Sequence, residues 1–238
     1  DGQHRAGGFI ALYESKDSKV RPIDFVVVVG LDREQEKDVF LTVNNTQKGV
    51  TKALSDFLQG SEEAMIAWGL NIDDDSPFKD RICRQTMQRS HLFKLNSVAK
   101  GVKQTFDHGK LTDLDQGDKL DILKSYWNII ADERDIEWAD IAQAAPDGRG
   151  RLDFQNKLLE LTGFLAWSQI GPGILSRCYD EDLGMNWENV KKLVRSCGNI
   201  DWRKDGQYDG LTGVVGASRI KTDMERQLPI VGADEAEE

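Results

Sequence analysis

Ile23-Asp24-Phe25-Val26-Val27-Val28-Val29-Gly30 is the most strand-like stretch of this 238-residue chain. Branching at Cβ stiffens χ1 and suits an extended backbone, and Gly30 closes the run. A continuous apolar run, rather than an alternating one, predicts a strand over residues 23–29 that is buried on both faces. Before it, residues 5–15 place Phe9, Leu12 and Tyr13 on one helical face, although Gly7 and Gly8 weaken that helix. After it, residues 34–44 bring Val39, Phe40 and Val43 together and predict a second helix. A lone strand between helices lacks partners. The chain opens on Asp1 rather than Met, so further strands are expected upstream of a chain read as an excised domain.

The rest reads as helix after helix. Thr51 can cap a short helix that turns Ala53, Leu54, Phe57 and Leu58 inward and stops at Gly60. Another helix is predicted from Ser61 to about Leu70, and Asp73-Asp74-Asp75-Ser76-Pro77 breaks the chain. Residues 82–93 are compatible with strand. Helices are predicted over residues 96–106, over 120–131 with Ile122, Leu123, Tyr126, Trp127 and Ile130 inward, over 152–170, and over 187–197. Asn44-Asn45-Thr46-Gln47-Lys48-Gly49 has turn chemistry. Gly171-Pro172-Gly173 punctuates the long apolar helix before it, and residues 232–238 form a frayed acidic end. The fold class is α+β, with an α/β start over residues 1–110 and a mostly helical body over residues 111–238.

Composition excludes several classes. Hydrophobic residues make up 39% and charged residues 30% of the chain, a globular balance and not a disordered one. No apolar run approaches the roughly 20 residues of a membrane-spanning helix, so no membrane partner is expected. Cys83, Cys178 and Cys197 are odd in number and lack CxxC spacing, which argues against a disulfide framework or structural zinc and for a reducing cytoplasm. The net charge of −10 disfavours non-specific nucleic-acid binding, yet it is unevenly spread. Between Lys79 and Lys110 stand eight Lys and Arg against two Asp. Arg81, Arg84, Arg89 and Lys94 are therefore candidate nucleic-acid contacts, with a solvated, ion-paired face as the alternative.

Asp1-Gly2-Gln3-His4-Arg5 opens the first predicted helix, where free N–H groups and the helix dipole favour an anion. Gly2 admits a close ligand, and Arg5 can grip a phosphate through two parallel hydrogen bonds. His4 can move a proton near neutral pH, Gln3 offers a donor and an acceptor, and Asp1 can cap the helix, hold a metal or act as a base. The alternative is an Asp-capped helix start with Arg5 in a surface ion pair. Asn44, Asn45, Gln47 and Lys48 gather amides and one cation that suit base edges, ribose and phosphate, or simply form a polar turn. Asp73-Asp74-Asp75 lacks a matching Glu-x-Lys or spaced His and reads as a solvated loop. Trp127 and Trp167 sit in apolar stripes and read as core.

The first five residues reproduce the name-giving motif of the DGQHR-domain family, which includes the DndB proteins linked to bacterial DNA phosphorothioation. The segment from Phe40 to Val50 resembles that family's aromatic-x-x-(Ile/Val)-Asn-x-x-Gln-Lys element, and Ser76-Pro77-Phe78-x-x-Arg81-Ile82 is similar to a third. The same elements resemble a wider set: restriction-type DGQQR domains, ParB partition proteins and sulfiredoxin. Gln3 stands where sulfiredoxin has its cysteine, which removes sulfinic-acid reduction, and no helix-turn-helix reader of the ParB kind is evident. The resemblance implies a ParB- and sulfiredoxin-like α/β start. It implies a nucleoside triphosphate ligand, ATP or CTP with magnesium, held by Gly2, Gln3, Arg5, Asn44, Gln47 and Lys48. Catalytic roles in any hydrolysis would fall to Asp1 and His4, and Arg5 and Lys48 would share one pocket face. It also implies a place in a bacterial DNA-modification or defence system alongside other such proteins. Two alternatives stand beside this expectation: a non-catalytic transcription regulator that binds DNA for a phosphorothioation operon, and a helical interaction module with a vestigial motif.

Overall fold

A computed structural model describes residues 28–46, 57, 59–84, 87, 90–142 and 155–229. The chain divides into two compact units, residues 1–43 and residues 44–238.

In the first unit, Val28 and Val29 belong to no strand and are 54% and 82% exposed. This corrects the C-terminal end of the buried strand expected over residues 23–29; residues 23–27 lie outside the described residues. An apolar run reports a tendency to be buried, but it cannot supply the neighbours that bury it. Helix α1 (Arg33–Thr46) follows. Asp32 caps it: its Oδ1 accepts from the N–H groups of Glu34 and Gln35, at 3.0 and 2.9 Å. Gln35 reciprocates, since its Oε1 accepts from Asp32 N–H at 3.0 Å. Glu34 and Glu36 in the first turn complement the helix dipole. Leu41 is buried, whereas Val39 and Phe40, expected together on one helical face, are exposed. The helix runs through Asn44, Asn45 and Thr46, where a turn was expected. Asn is a weak helix former but not a breaker, and a capped helix carries it at small cost.

In the second unit, helix α2 (Glu62–Ile72) leads to strand β1 (Ile82–Cys83) and strand β2 (Phe93–Lys94). Helices α3 (Leu95–Phe106), α4 (Gln116–Glu133), α5 (Asp135–Ala142) and α6 (Leu161–Cys178) follow. A hairpin of β3 (Tyr179–Asp180) and β4 (Gly184–Met185) leads to helix α7 (Trp187–Ser196), a single 3₁₀ turn over Cys197–Asn199 and helix α8 (Gly213–Glu225). The described protein is thus helix-rich with a few short strands, as the helical body predicted. Side-chain caps mark two starts. Asp115 accepts from Asp118 N–H at 2.9 Å before α4, and Asn186 accepts from Asn189 N–H at 3.1 Å before α7.

Helix α6 is the axis of this unit, with α3 and α8 packed along it and α2 beside α3 and α4. Its Trp167 is fully buried, as is Trp127 of α4, which stacks on Phe164 at 4.9 Å and 8°. Phe78 meets Trp127, Phe93 and Phe164 edge-on, at centroid distances of 5.1 to 5.8 Å. Tyr126 completes the layer by donating its hydroxyl hydrogen to Trp167 O at 3.1 Å.

Two expectations about α6 are corrected. It starts at Leu161, not at 152, and it passes straight through Gly171-Pro172-Gly173 to Cys178. Proline has no N–H, so Ser168 O loses the donor of a regular helix. Thr105 Oγ1, on α3, lies 3.3 Å from that carbonyl and 3.0 Å from Gly101 O, so one hydroxyl serves either acceptor. The approach that permits this rests on missing side chains. A Cβ on Gly101 would fall 2.4 Å from Phe164 Cε1, and one on Gly171 would fall 3.0 Å from Thr105 Cγ2. Glycine and proline therefore mark a helix crossing here, not a helix end.

Candidate nucleic-acid interface

The basic segment folds as a small parallel ribbon. Ile82 pairs with Phe93 and Cys83 with Lys94. Asn71, buried at the end of α2, anchors it: its side-chain oxygen accepts from Ile82 N–H at 2.7 Å and its backbone oxygen from Asp80 N–H at 2.9 Å. Asp80 takes a left-handed φ of 57°, which turns the chain into β1. Arg81 then stitches the returning loop, as its carbonyl accepts from the N–H groups of Leu92 and Phe93. Its guanidinium donates to Ser90 O at 3.2 Å, one of five N–H donors, and is half-buried.

Ile82 and Phe93 turn into the core, while Lys94 and Arg84 stand exposed at the surface. The Arg84 guanidinium lies over the Trp68 ring at 4.2 Å and near the Phe57 ring at 5.5 Å. Those two rings meet edge-on at 6.0 Å. Stacking fixes the orientation of a long cation that would otherwise lose entropy on binding. His91, in the same loop, has its pKa lowered by burial and by the Arg81 charge, with Asp80 opposing. It is therefore uncharged at neutral pH, and the cationic character of the ribbon comes from Arg and Lys. Burial pushes the Cys83 thiol upward despite nearby Lys94, so it is no thiolate nucleophile; its hydrogen points to Met87 Sδ at 3.2 Å.

The structure thus brings Arg81, Arg84 and Lys94 to one ribbon, while Arg89 lies outside the described residues. So do Asp1, Gly2, Gln3, His4, Arg5, Gln47 and Lys48, and with them the expected shared pocket of Arg5 and Lys48. Asn44 is placed in the last turn of α1. The acidic triplet is a loop in which Asp73 receives Lys124 Nζ at 2.8 Å and the Asp75 N–H at 2.9 Å, and Asp74 pairs with Lys79. No group of three metal-ligating side chains occurs among the described residues.

No family model, curated protein or solved structure matches this chain. Among the described residues no helix is long and apolar enough to cross a membrane. The sequence reading missed the Arg84–Trp68 stack; Trp68 sits sixteen positions away, and only the fold joins them. It also missed α8, whose signal was present in Ala217, Ile220 and Met224 at helical spacing.

Proposed function

We propose that this chain is a DndB-like DGQHR-domain protein of a bacterial DNA-modification or defence system, and that the β1–β2 ribbon contacts DNA. The observation that carries the DNA contact is the gathering of Arg81, Arg84 and Lys94 on one ribbon of an otherwise acidic chain. Arginine and lysine there meet the phosphate backbone, which supplies register and affinity with little base reading. An acidic remainder repels the polyanion elsewhere and confines contact to this surface. In this reading the protein is a regulator of a DNA phosphorothioation operon, and no catalytic step is needed.

The motif itself favours a second reading, that of a nucleotide-dependent switch. Gly2, Gln3, Arg5, Asn44, Gln47 and Lys48 would hold ATP or CTP, with magnesium, and Asp1 and His4 would act in hydrolysis. The ParB- and sulfiredoxin-like start belongs to this reading. The third, a helical interaction module with a vestigial motif, predicts neither ligand. Two titrations separate the three. Anisotropy with a labelled duplex should show binding that Lys94→Ala weakens and Arg5→Ala leaves intact. Calorimetry with ATP, CTP and GTP should show heat that Arg5→Ala diminishes, if the switch is present. Binding of neither DNA nor nucleotide overturns both readings.

A further inference from the structure

Away from the ribbon, a cleft of about 180 Å³ opens between α2, α3 and the start of α4. Its floor is apolar, made by the buried side chains of Ile66, Val102 and Phe106. Lys119 forms one wall. Its side chain is only 9% exposed, and Nζ lies 2.9 Å from Glu62 Oε1. An ammonium carries three N–H donors, and a buried one needs acceptors. Glu62 is its one hydrogen-bond acceptor among the described residues; the Phe106 ring lies 5.9 Å from Nζ to the centroid, and the Glu63 carboxylate is close enough to feel its charge. A desolvated cation lining the cleft therefore has donor capacity left over.

The mouth carries both signs of charge. Lys103 is exposed there and has no ion-pair partner among the described residues. Glu63 and Asp107 line the same opening. The Ser61 hydroxyl, and then a backbone N–H, hold the Glu63 carboxyl below its usual range; burial opposes this, and the Lys103 and Lys119 charges add to it. Glu62 lines the cleft as well, paired with Lys119; beyond that pair a bare carboxylate would meet Glu63 and Asp107, and a bare amine would meet Lys103 and the spare donors of Lys119. A zwitterion complements both.

We propose that this cleft binds a small apolar α-amino acid of valine or leucine size. Lys119 and Lys103 take its carboxylate, Glu63 and Asp107 its ammonium, and Ile66, Val102 and Phe106 its side chain. The volume is of the right order, since about 150 Å³ already admits a benzene-sized molecule. The proposal is independent of the DNA reading and stands or falls without it.

Calorimetry on the whole chain tests it, with valine, leucine, isocaproate (leucine without its ammonium) and isoamylamine (leucine without its carboxylate). Saturable binding of valine or leucine is expected, with each analogue weaker by about tenfold or more, the scale of one lost charge-assisted contact. Lys119→Met conserves volume and leaves Glu62 able to reach solvent. It should weaken the amino acid by a similar factor. Lys103→Ala, on the exposed rim, should weaken it several-fold with an unchanged circular dichroism spectrum. Absence of saturable binding at millimolar valine and leucine would overturn the proposal. So would isocaproate or isoamylamine binding as tightly as leucine, or Lys103→Ala binding like the wild type.

Discussion

Gly101 shows how one residue decides a contact in this protein. A methyl group there would strike Phe164 Cε1 at 2.4 Å and Ser168 Oγ at 2.7 Å, both in the packed face of α6. Gly101→Ala should gain a few tenths of a kcal/mol or more from helix propensity, yet lose about 1–3 kcal/mol to overpacking, so chemical denaturation should show net destabilisation. The thiols give a second expectation at this scale. Burial raises all three, and Cys197 is pushed up to about 11. Iodoacetamide at pH 8 should therefore label the native protein slowly and the unfolded protein quickly. A group held protonated in the native state leaves stability intact below its unfolded pKa and loses it as pH rises through the folded value. Tyr208, raised to about 12, and Tyr126, raised by burial, act in the same direction. The thermal midpoint should start to fall near pH 9 and continue falling through about 11; a flat profile over that span would contradict these assignments.

Helix α6 shows most clearly what the element scale adds. Its apolar run over residues 161–170 was legible as helix, and so were α2, α3, α4 and α7. Its passage through Pro172 was not. A proline inside a helix leaves a carbonyl without its donor, and here the replacement comes from Thr105, on another helix. No local pattern can announce a donor that arrives through the fold. The relation is testable as a double-mutant cycle. Thr105→Val removes the hydroxyl and should cost about 1–3 kcal/mol. Pro172→Ala restores an N–H that can bond Ser168 O, so the cost of Thr105→Val should shrink in that background. Equal costs in both backgrounds would show that Thr105 does not serve that carbonyl. Strand assignment was less legible for a related reason. The ribbon has two residues per strand, too short for any periodicity, while the valine-rich run ends in exposed Val28 and Val29. Of the candidate site, the ribbon cations could be read as a cluster of charge. Their anchoring by Asn71 and the Trp68 ring could not, because those contacts join separate elements.

For the whole molecule the governing quantity is charge and where it sits. An acidic chain with a basic ribbon should bind a polyanion weakly, locally and with steep salt dependence. The Arg84 stack on Trp68 contributes about 0.5–1 kcal/mol of cation–π attraction at an exposed position. Arg84→Ala therefore mixes a structural loss with a binding loss. Arg81→Ala also removes the hydrogen bond that stitches the loop to Ser90. Lys94 has no such second duty among the described residues, so Lys94→Ala isolates the phosphate contribution. The most direct test of the account is the slope of log affinity for a short duplex against log salt, between about 50 and 200 mM. It is to be measured for the wild type and for Lys94→Ala. The account predicts measurable binding for the wild type and a slope shallower by about 0.9, one phosphate contact, in the variant. No binding at the lowest salt, or identical slopes for the two proteins, would contradict it.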